Sequence, residues 1–126
     1  MRYKFRGKRV DNGEWVVGTG IQCLNDKTLI IDQFSTIGGM YSYEVLDQTV
    51  GQFTGLKDRD GVDIYEGDLV QIGYTEKYNH EVVWEEYGAY FRCKLLDKDQ
   101  GKSWNAYPDM KVKVIGSVHD TEEEGL

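Results

Sequence analysis

The sequence predicts a mainly β protein whose antiparallel strands form a small sandwich or barrel, and three observations lead to this fold class. Apolar residues nowhere recur at helical spacing over three turns. Aromatic residues make up 13% of the chain, β-branched residues are frequent, and both kinds favour half-buried pleated sheets. Fifteen glycines fall between short apolar runs, as turns and bulges require. We therefore expect at most one short helix.

The N-terminal strands are predicted by period-two alternation and by turn residues. Residues 2–6 alternate basic with aromatic side chains, which predicts a strand with a basic outer face. The Asn-Gly pair at residues 12–13 tolerates positive φ at both positions and favours a tight hairpin. The return strand runs from residue 14 toward residue 24, and the chain turns again at residues 25–27. The apolar centre of residues 28–32 indicates a strand buried on both faces.

Further short strands and turns are predicted along the rest of the chain. The predicted strands cover residues 43–46, 49–53, 62–65, 69–74, 80–85, 89–96 and 111–118. Between them we expect an irregular loop at residues 34–42, turns at residues 57–61, 66–68 and 86–88, and a polar loop at residues 97–103. The apolar strand faces predict a core. Its expected members are Trp15, Ile31, Val70, Ile72, Phe91, Val112 and Val114.

Domain organisation is predicted from a weak boundary near residues 47–55. The 126 residues are enough for one domain with a substantial core. We expect a single domain over residues 1–126, in which residues 1–48 form a β layer and residues 49–118 form a small, SH3-like barrel. Residues 119–126 are an acidic tail, which we interpret as a solvated end rather than an interaction segment.

Charge is distributed unevenly along the chain. The net charge is −7, and five basic residues lie within the first ten positions, which contain no acid. The rest of the chain has 10 basic and 22 acidic residues and therefore carries −12. A body of this charge repels phosphate, which argues against a general nucleic-acid binder.

The two cysteines, Cys23 and Cys93, lie far apart and predict free thiols rather than a disulfide framework. The N-terminal residues carry charge with no apolar stretch behind them, so no signal peptide is predicted. No run of residues is long and apolar enough to cross a bilayer. We expect a cytoplasmic protein with no membrane partner.

The sequence predicts no metal site and no cofactor. There is no Cys-x-x-Cys pair, and the two histidines, His80 and His119, are far apart. Buried cysteines and surface histidines explain these residues better than zinc ligands do. Residues 58–61, Asp-Arg-Asp-Gly, resemble the start of a calcium loop, but the glycine follows the second acid at once, as in a hairpin turn.

No catalytic site is predicted either, and we expect that the protein is not an enzyme. Ser117 and His119 share one strand face, but no Gly-x-Ser-x-Gly elbow accompanies them. Several carboxylates fit a solvated surface better than a glycosidase pair; they are Glu66, Asp68, Glu76, Glu81, Glu85 and Glu86. Several aromatic residues could stack nucleobases, although core and cross-strand packing is their commoner use; they are Tyr74, Tyr78, Trp84, Tyr87, Tyr90 and Phe91.

Four stretches of the sequence form a distinctive series. They are Lys4-Phe5-Arg6-Gly7-Lys8-Arg9 with residues 12–16, residues 49–58, residues 60–70 and Val114-Ile115-Gly116. The central run, from Gly55-Leu56-Lys57-Asp58 through Ile64-Tyr65-Glu66-Gly67-Asp68, is the most specific part. On these residues the chain resembles the YopX-like family of phage and prophage proteins, from residue 4 to about residue 118. The resemblance implies a β-rich fold and an origin in a phage or integrated element, and it implies no catalytic residue or cofactor.

The chemistry of the central run predicts a structural role. Asp60-Gly61 favours a turn, and Ile64 can enter the core with Tyr65 over it. Gly67 permits a tight reversal of the chain, and Asp68 can accept backbone N–H groups where the next strand begins. A motif that shapes the backbone in this way need not mark a binding site.

Two hypotheses for the function follow, from different classes. The leading one is a phage- or prophage-encoded accessory protein that binds a protein, either from the host or as a homo-oligomer. The alternative is a nucleic-acid-associated module that uses the basic N-terminal strand. The candidate interaction residues are Arg2, Lys4, Arg6, Lys8 and Arg9. We expect Arg2, Lys4 and Arg6 to point to one side and to pair with acids from residues 76–86 or from the tail.

Overall fold

The computed structural model describes residues 3–34, 40–72, 79–95, 103–105 and 112–120, and these residues are mainly β. They contain twelve strands and one short 3-10 helix. The strand registers are antiparallel, which confirms the predicted fold class. The chain divides into two compact units, Met1–Phe53 and Thr54–Leu126.

The first unit contains two groups of antiparallel strands. Its elements are β1 (Phe5–Lys8), β2 (Trp15–Gly18), β3 (Gly20–Leu24), β4 (Lys27–Phe34), β5 (Met40–Val45), the 3-10 helix (Asp47–Thr49) and the start of β6 (Gly51–Lys57). Strand β1 pairs with β2 on one side and with the first residues of β6 on the other. Strands β3, β4 and β5 form a separate sheet in that order.

The tight two-residue turn of the first unit lies at a different position from the one predicted. Between β1 and β2 only Gly13 has a positive φ, of 72°, and it belongs to a wider loop. Asn25 and Asp26, between β3 and β4, have φ values of 51° and 63°. Positive φ at both central positions is the type I′ geometry. Asn and Asp enter this conformation because their short polar side chains tolerate it.

Gly18 marks the point where β2 passes close to β4. A Cβ atom at this position would overlap the carbonyl group of Ile31, so only glycine fits. The strand stops at Thr19, whose N–H donates to the Ile31 carbonyl at 3.0 Å. The predicted continuous strand from residue 14 toward residue 24 is therefore wrong, and two strands, β2 and β3, occupy this stretch.

The core of the first unit is centred on Ile30 and Val45, which are buried. Thr49, also buried, connects the 3-10 helix to β1. Its hydroxyl accepts the Lys8 backbone N–H at 2.9 Å and donates to the Leu46 carbonyl at 2.6 Å. These bonds hold the start of β6 beside β1.

The second unit contains an open five-stranded sheet. Its elements are the rest of β6, β7 (Asp63–Tyr65), β8 (Asp68–Ile72), β9 (His80–Glu85), β10 (Tyr90–Leu95), β11 (Ser103–Asn105) and β12 (Val112–Ser117). The sheet has the order β11-β10-β9-β8-β12, with a register shift in β12 between Val114 and Gly116. Because β11 and β12 are opposite edges, the described strands form a sheet layer and do not close as the SH3-like barrel that was expected.

The core of the second unit combines residues from the early and late strands. Its buried members are Ile64, Val70, Val82, Cys93 and Val112. Of the predicted core residues, Val70 and Val112 are buried; Trp15, Ile31, Ile72, Phe91 and Val114 are half-buried.

The expectation of buried cysteines and surface histidines holds for Cys93 alone. Cys23 is exposed because it lies on β3, at the edge of its sheet. His80 is buried because it lies on the same face of β9 as the core residue Val82, and His119 is half-buried. Strand β11 was not predicted, because the polar residues before it indicated a loop over residues 97–103.

Candidate functional site

The basic residues of the N-terminal strand lie over aromatic rings of the same unit. The Lys4 Nζ is 4.6 Å from the centre of the Phe53 ring. The Arg6 guanidinium carbon is 4.3 Å, and the Lys8 Nζ 5.4 Å, from the centre of the Trp15 ring. Alternating residues of a strand share one face, and Lys8 is the cross-strand partner of Trp15. Cations over ring faces are attracted by the ring quadrupole, and this attraction orients the basic side chains.

Arg9, which comes directly after this strand, contacts both an aromatic ring and a carboxylate. Its guanidinium lies 4.6 Å from the centre of the Tyr43 ring and donates twice to Asp11, at 3.0 and 2.7 Å. The hydrogen bond to Asp11 raises the pKa of Arg9 above its ordinary value, against a smaller effect of desolvation. Arg2 and much of the predicted acidic partner region lie outside the described residues, so the predicted pairing of this strand with acids stays a prediction.

Asp58, in the central run, is a junction of backbone hydrogen bonds. Its Oδ1 accepts the N–H groups of Asp60 and Val62, each at 2.8 Å, and its Oδ2 accepts the Val114 N–H at 3.0 Å. Desolvation raises the pKa of this carboxyl group, but the three N–H groups and the charge of Arg59 outweigh it, and the pKa lies below its ordinary value. The carboxylate therefore ties the turn at residues 58–62 to β12.

The end of the central run is another structural junction. The Asp68 carboxylate, which is buried, accepts the Tyr65 backbone N–H at 2.8 Å, as expected. Gly67, with a φ of 92°, makes the reversal, and its carbonyl accepts the Val118 N–H at 2.9 Å. These contacts fit the structural role predicted from the sequence.

Ser117 and His119 interact through the Ser117 hydroxyl and the backbone of His119. The Ser117 hydroxyl donates to the Gly67 carbonyl at 3.3 Å and accepts the His119 backbone N–H at 3.1 Å. Ser117 is buried. Because this buried hydroxyl both donates and accepts a hydrogen bond within the chain, it stabilises the reversal at Gly67 and is poorly placed to attack a substrate.

In the described part of the chain, no group of three or more His, Cys, Asp or Glu residues is arranged to hold a metal ion. A groove of about 680 Å³ lies in the first unit, and its lining includes Leu24, Lys27, Glu44 and Asp47. Helices able to span a bilayer are likewise absent from the described residues. Glu76, Tyr74 and Tyr78, three of the candidates from sequence, lie outside them.

The β9–β10 hairpin presents a group of aromatic side chains, here called the aromatic hairpin: Trp84, Tyr87, Tyr90 and Phe91. The strands pair in register from His80 to Glu85, and Trp84 lies opposite Phe91. The two rings pack edge to face, with their centres 4.9 Å apart, as cross-strand aromatic pairs prefer. Trp84 and Tyr90 are each 41% exposed, and Tyr87 at the turn is fully exposed. The sequence predicted the cross-strand packing but not this exposure.

Comparison with known proteins identifies the family of the chain. The family model described as YopX protein matches residues 4–123, and the chain therefore belongs to this family. No curated protein matches it. The fold is similar to the crystal structure of protein EF1440 from Enterococcus faecalis, at 21% identity and a TM-score of 0.50 over 96% of each chain.

Proposed function

We propose that this YopX family member is a phage- or prophage-encoded accessory protein that acts in the bacterial cytoplasm by binding another protein, without catalysis of its own. The observation that carries the proposal is the exposure of the aromatic hairpin. Trp and Tyr contribute disproportionately to binding at protein interfaces, because they bring large contact areas with few rotatable bonds. Three exposed rings lie within seven residues at the end of the hairpin: Trp84 on one face, Tyr90 on the other and Tyr87 at the turn between them.

The hairpin is also partly organised before binding. The Phe91 ring supports Trp84 on one face of the sheet, and the Arg92 side chain donates to Glu85 at 2.9 Å across the two strands. Side chains that are already ordered lose less entropy on association. A rigid hairpin with exposed rings is therefore suited to insertion into a pocket of a partner protein.

Charge indicates the chemistry of that partner. Glu86 lies exposed beside Tyr87 at the turn, and the chain has a net charge of −7. Complementary charge accelerates association and excludes wrong partners. The proposed partner surface combines an apolar pocket for the rings with basic residues around it.

The nucleic-acid module remains the second candidate, and it has weaker support. Lys4, Arg6 and Lys8 lie over rings of their own unit, so contact with phosphate would compete with these interactions. Rings that stack nucleobases usually lie in a basic groove, whereas exposed Glu86 adjoins the aromatic hairpin. The experiment below distinguishes the two candidates.

The test is affinity capture from a host lysate, followed by calorimetry with the purified captured protein. A Trp84→Ala/Tyr87→Ala variant is compared with the wild type and with Tyr41→Ala, which removes an exposed ring from the first unit. We expect the double variant to bind roughly 30-fold more weakly, as loss of an interface hot spot does, and Tyr41→Ala to bind normally. Circular dichroism verifies that each variant is folded.

Three results would contradict the proposal. One is the absence of any captured protein that binds directly when purified. Another is equal affinity of the double variant and the wild type. The third is capture that disappears on nuclease treatment and falls steeply with salt, which would favour the nucleic-acid module.

A further inference from the structure

Strand β3 is an edge strand whose outer side carries backbone groups with no strand beside them in the described part of the chain. It pairs with β4 alone there, in a register that runs from Gly20 opposite Ile31 to Leu24 opposite Lys27. Leu24 and Lys27 flank the two-residue turn, so they are a hydrogen-bonded pair. Along two antiparallel strands, hydrogen-bonded residue pairs alternate with non-hydrogen-bonded pairs, and the backbone groups of the latter point away from the neighbouring strand. The N–H and C=O groups of Ile21 and Cys23 therefore point away from β4, toward the open edge.

This edge lacks the features with which proteins protect exposed strands. Edge strands are commonly shielded by charges, proline or bulges, but residues 15–25 contain no charged residue and no proline. Four of the five residues of β3 are exposed, including Ile21 at 38% and Leu24 at 52%. An uncharged, partly apolar edge of this kind is open to pairing with another strand.

We propose that β3 pairs antiparallel with β3 of a second copy of this chain and joins the two three-stranded sheets into one. The twofold axis passes between the two Gln22 residues. Ile21 then lies opposite the partner's Cys23, and the outward backbone groups of these residues hydrogen-bond to each other on both sides of the axis. This register uses every outward group of Ile21 and Cys23, whereas a register centred on either residue leaves some of them without a partner strand.

Charge favours a second copy as the occupant. Two chains that each carry −7 repel one another over most of their surfaces. Residues 15–25 carry no charge, so contact at β3 places no like charges of this segment against each other. A strand without charges also offers no electrostatic preference for a foreign partner. This inference concerns the first unit and does not depend on the function proposed for the aromatic hairpin.

The first test places charges at the proposed axis. Gln22 is exposed, so Gln22→Lys and Gln22→Glu are compatible with the fold. Analytical ultracentrifugation should find a dimer for the wild type. Each variant alone should dimerise roughly tenfold more weakly, because like charges then face each other across the axis. An equimolar mixture of the two variants should recover the dimer as a heterodimer.

The second test measures the register. Directly opposite residues in a non-hydrogen-bonded pair have Cα atoms about 4.5 Å apart, within the range that a disulfide bridges. In a Cys23→Ser background, Gln22→Cys should therefore form a disulfide-linked dimer under mild oxidation. Val62→Cys in the same background provides the control, since Val62 is 48% exposed in the second unit, and it should cross-link more slowly.

The proposal is overturned if the wild type sediments as a monomer up to its highest soluble concentration. It is equally overturned if the charged variants dimerise as tightly as the wild type, or if mixing them restores nothing. Equal cross-linking of Gln22→Cys and Val62→Cys would contradict the register and with it the β3 interface.

Discussion

Replacing Asp58 by Asn should destabilise the protein, because the carboxylate joins parts of the chain that are far apart in sequence. An Asn side chain keeps one oxygen, which can still accept the N–H groups of Asp60 and Val62. Its NH₂ group would then face the Val114 N–H, which now bonds to Oδ2 at 3.0 Å. Two donors cannot pair, so one hydrogen bond to a charged acceptor is lost in a site that is only 7% exposed.

The expected magnitude follows from that single lost bond. Hydrogen bonds to charged groups contribute about 1.5–3 kcal/mol, so we expect Asp58→Asn to lower the free energy of unfolding by about 2 kcal/mol. Asp58→Ala removes all three bonds and should lower it by about 4 kcal/mol. Asp60→Asn, an exposed position in the same turn, is the matched control and should change it by less than about 0.5 kcal/mol.

Urea denaturation followed by tryptophan fluorescence measures these differences, and its pH dependence tests the mechanism. The folded-state pKa of Asp58 lies below its ordinary value of 3.8. Its stabilising effect is therefore present above that value and is lost as the pH falls through the folded-state pKa. The difference between wild type and Asp58→Asn should shrink in acid. A variant as stable as the wild type at neutral pH, or one no less stable than Asp60→Asn, would refute the reasoning.

Three further predictions concern other parts of the chain. At pH 8 a thiol reagent should label Cys23 rapidly and Cys93 only after unfolding, since burial raises the pKa of the Cys93 thiol to about 11; fast labelling of both thiols would contradict this. Gly18→Ala should lower the free energy of unfolding in urea by about 2 kcal/mol through overlap with Ile31, whereas Gly20→Ala, with room for a Cβ, should cost less; equal losses would contradict the packing argument. Glutamine at the three N-terminal basic positions should preserve the circular dichroism spectrum without creating or removing a mobility shift of DNA or RNA; the positions are Arg2, Lys4 and Arg6.

The local elements could be predicted from the sequence where alternation was bounded by clear turn residues. Strand β9 begins and ends at the predicted residues, because the stretch from His80 to Glu85 lies just before a polar, glycine-containing turn. The prediction was less exact where apolar residues are consecutive. Residues 29–31 are all apolar, so alternation of polar and apolar residues cannot show which face of the strand points to the core. In the structure Ile30, rather than Ile31, is fully buried.

The contacts that define the sites could not be predicted in the same way, because they join residues that are distant in sequence. Alternation placed Lys4 and Arg6 on one face, but it could not reveal that Phe53 lies beneath Lys4. The residue types around Asp58 predicted the turn. They could not predict its hydrogen bond with Val114, because the two residues are 56 positions apart in sequence. Exposure of Trp84 depends on how far the core extends along the sheet, which a single strand pattern does not encode.

The pairing of β8 with β12 has a consequence for how the second unit folds. The β9–β10 hairpin is local and can form within microseconds. Strand β12 must instead close a loop, since even its nearest pair, Ile72 with Val112, is separated by 40 residues. We expect a folding intermediate in which the hairpin is formed while β8 still lacks its outer neighbour. In this transient species the edge of β8 that later pairs with β12 is open, so this is the state most prone to aggregation. Docking of β12 closes that edge.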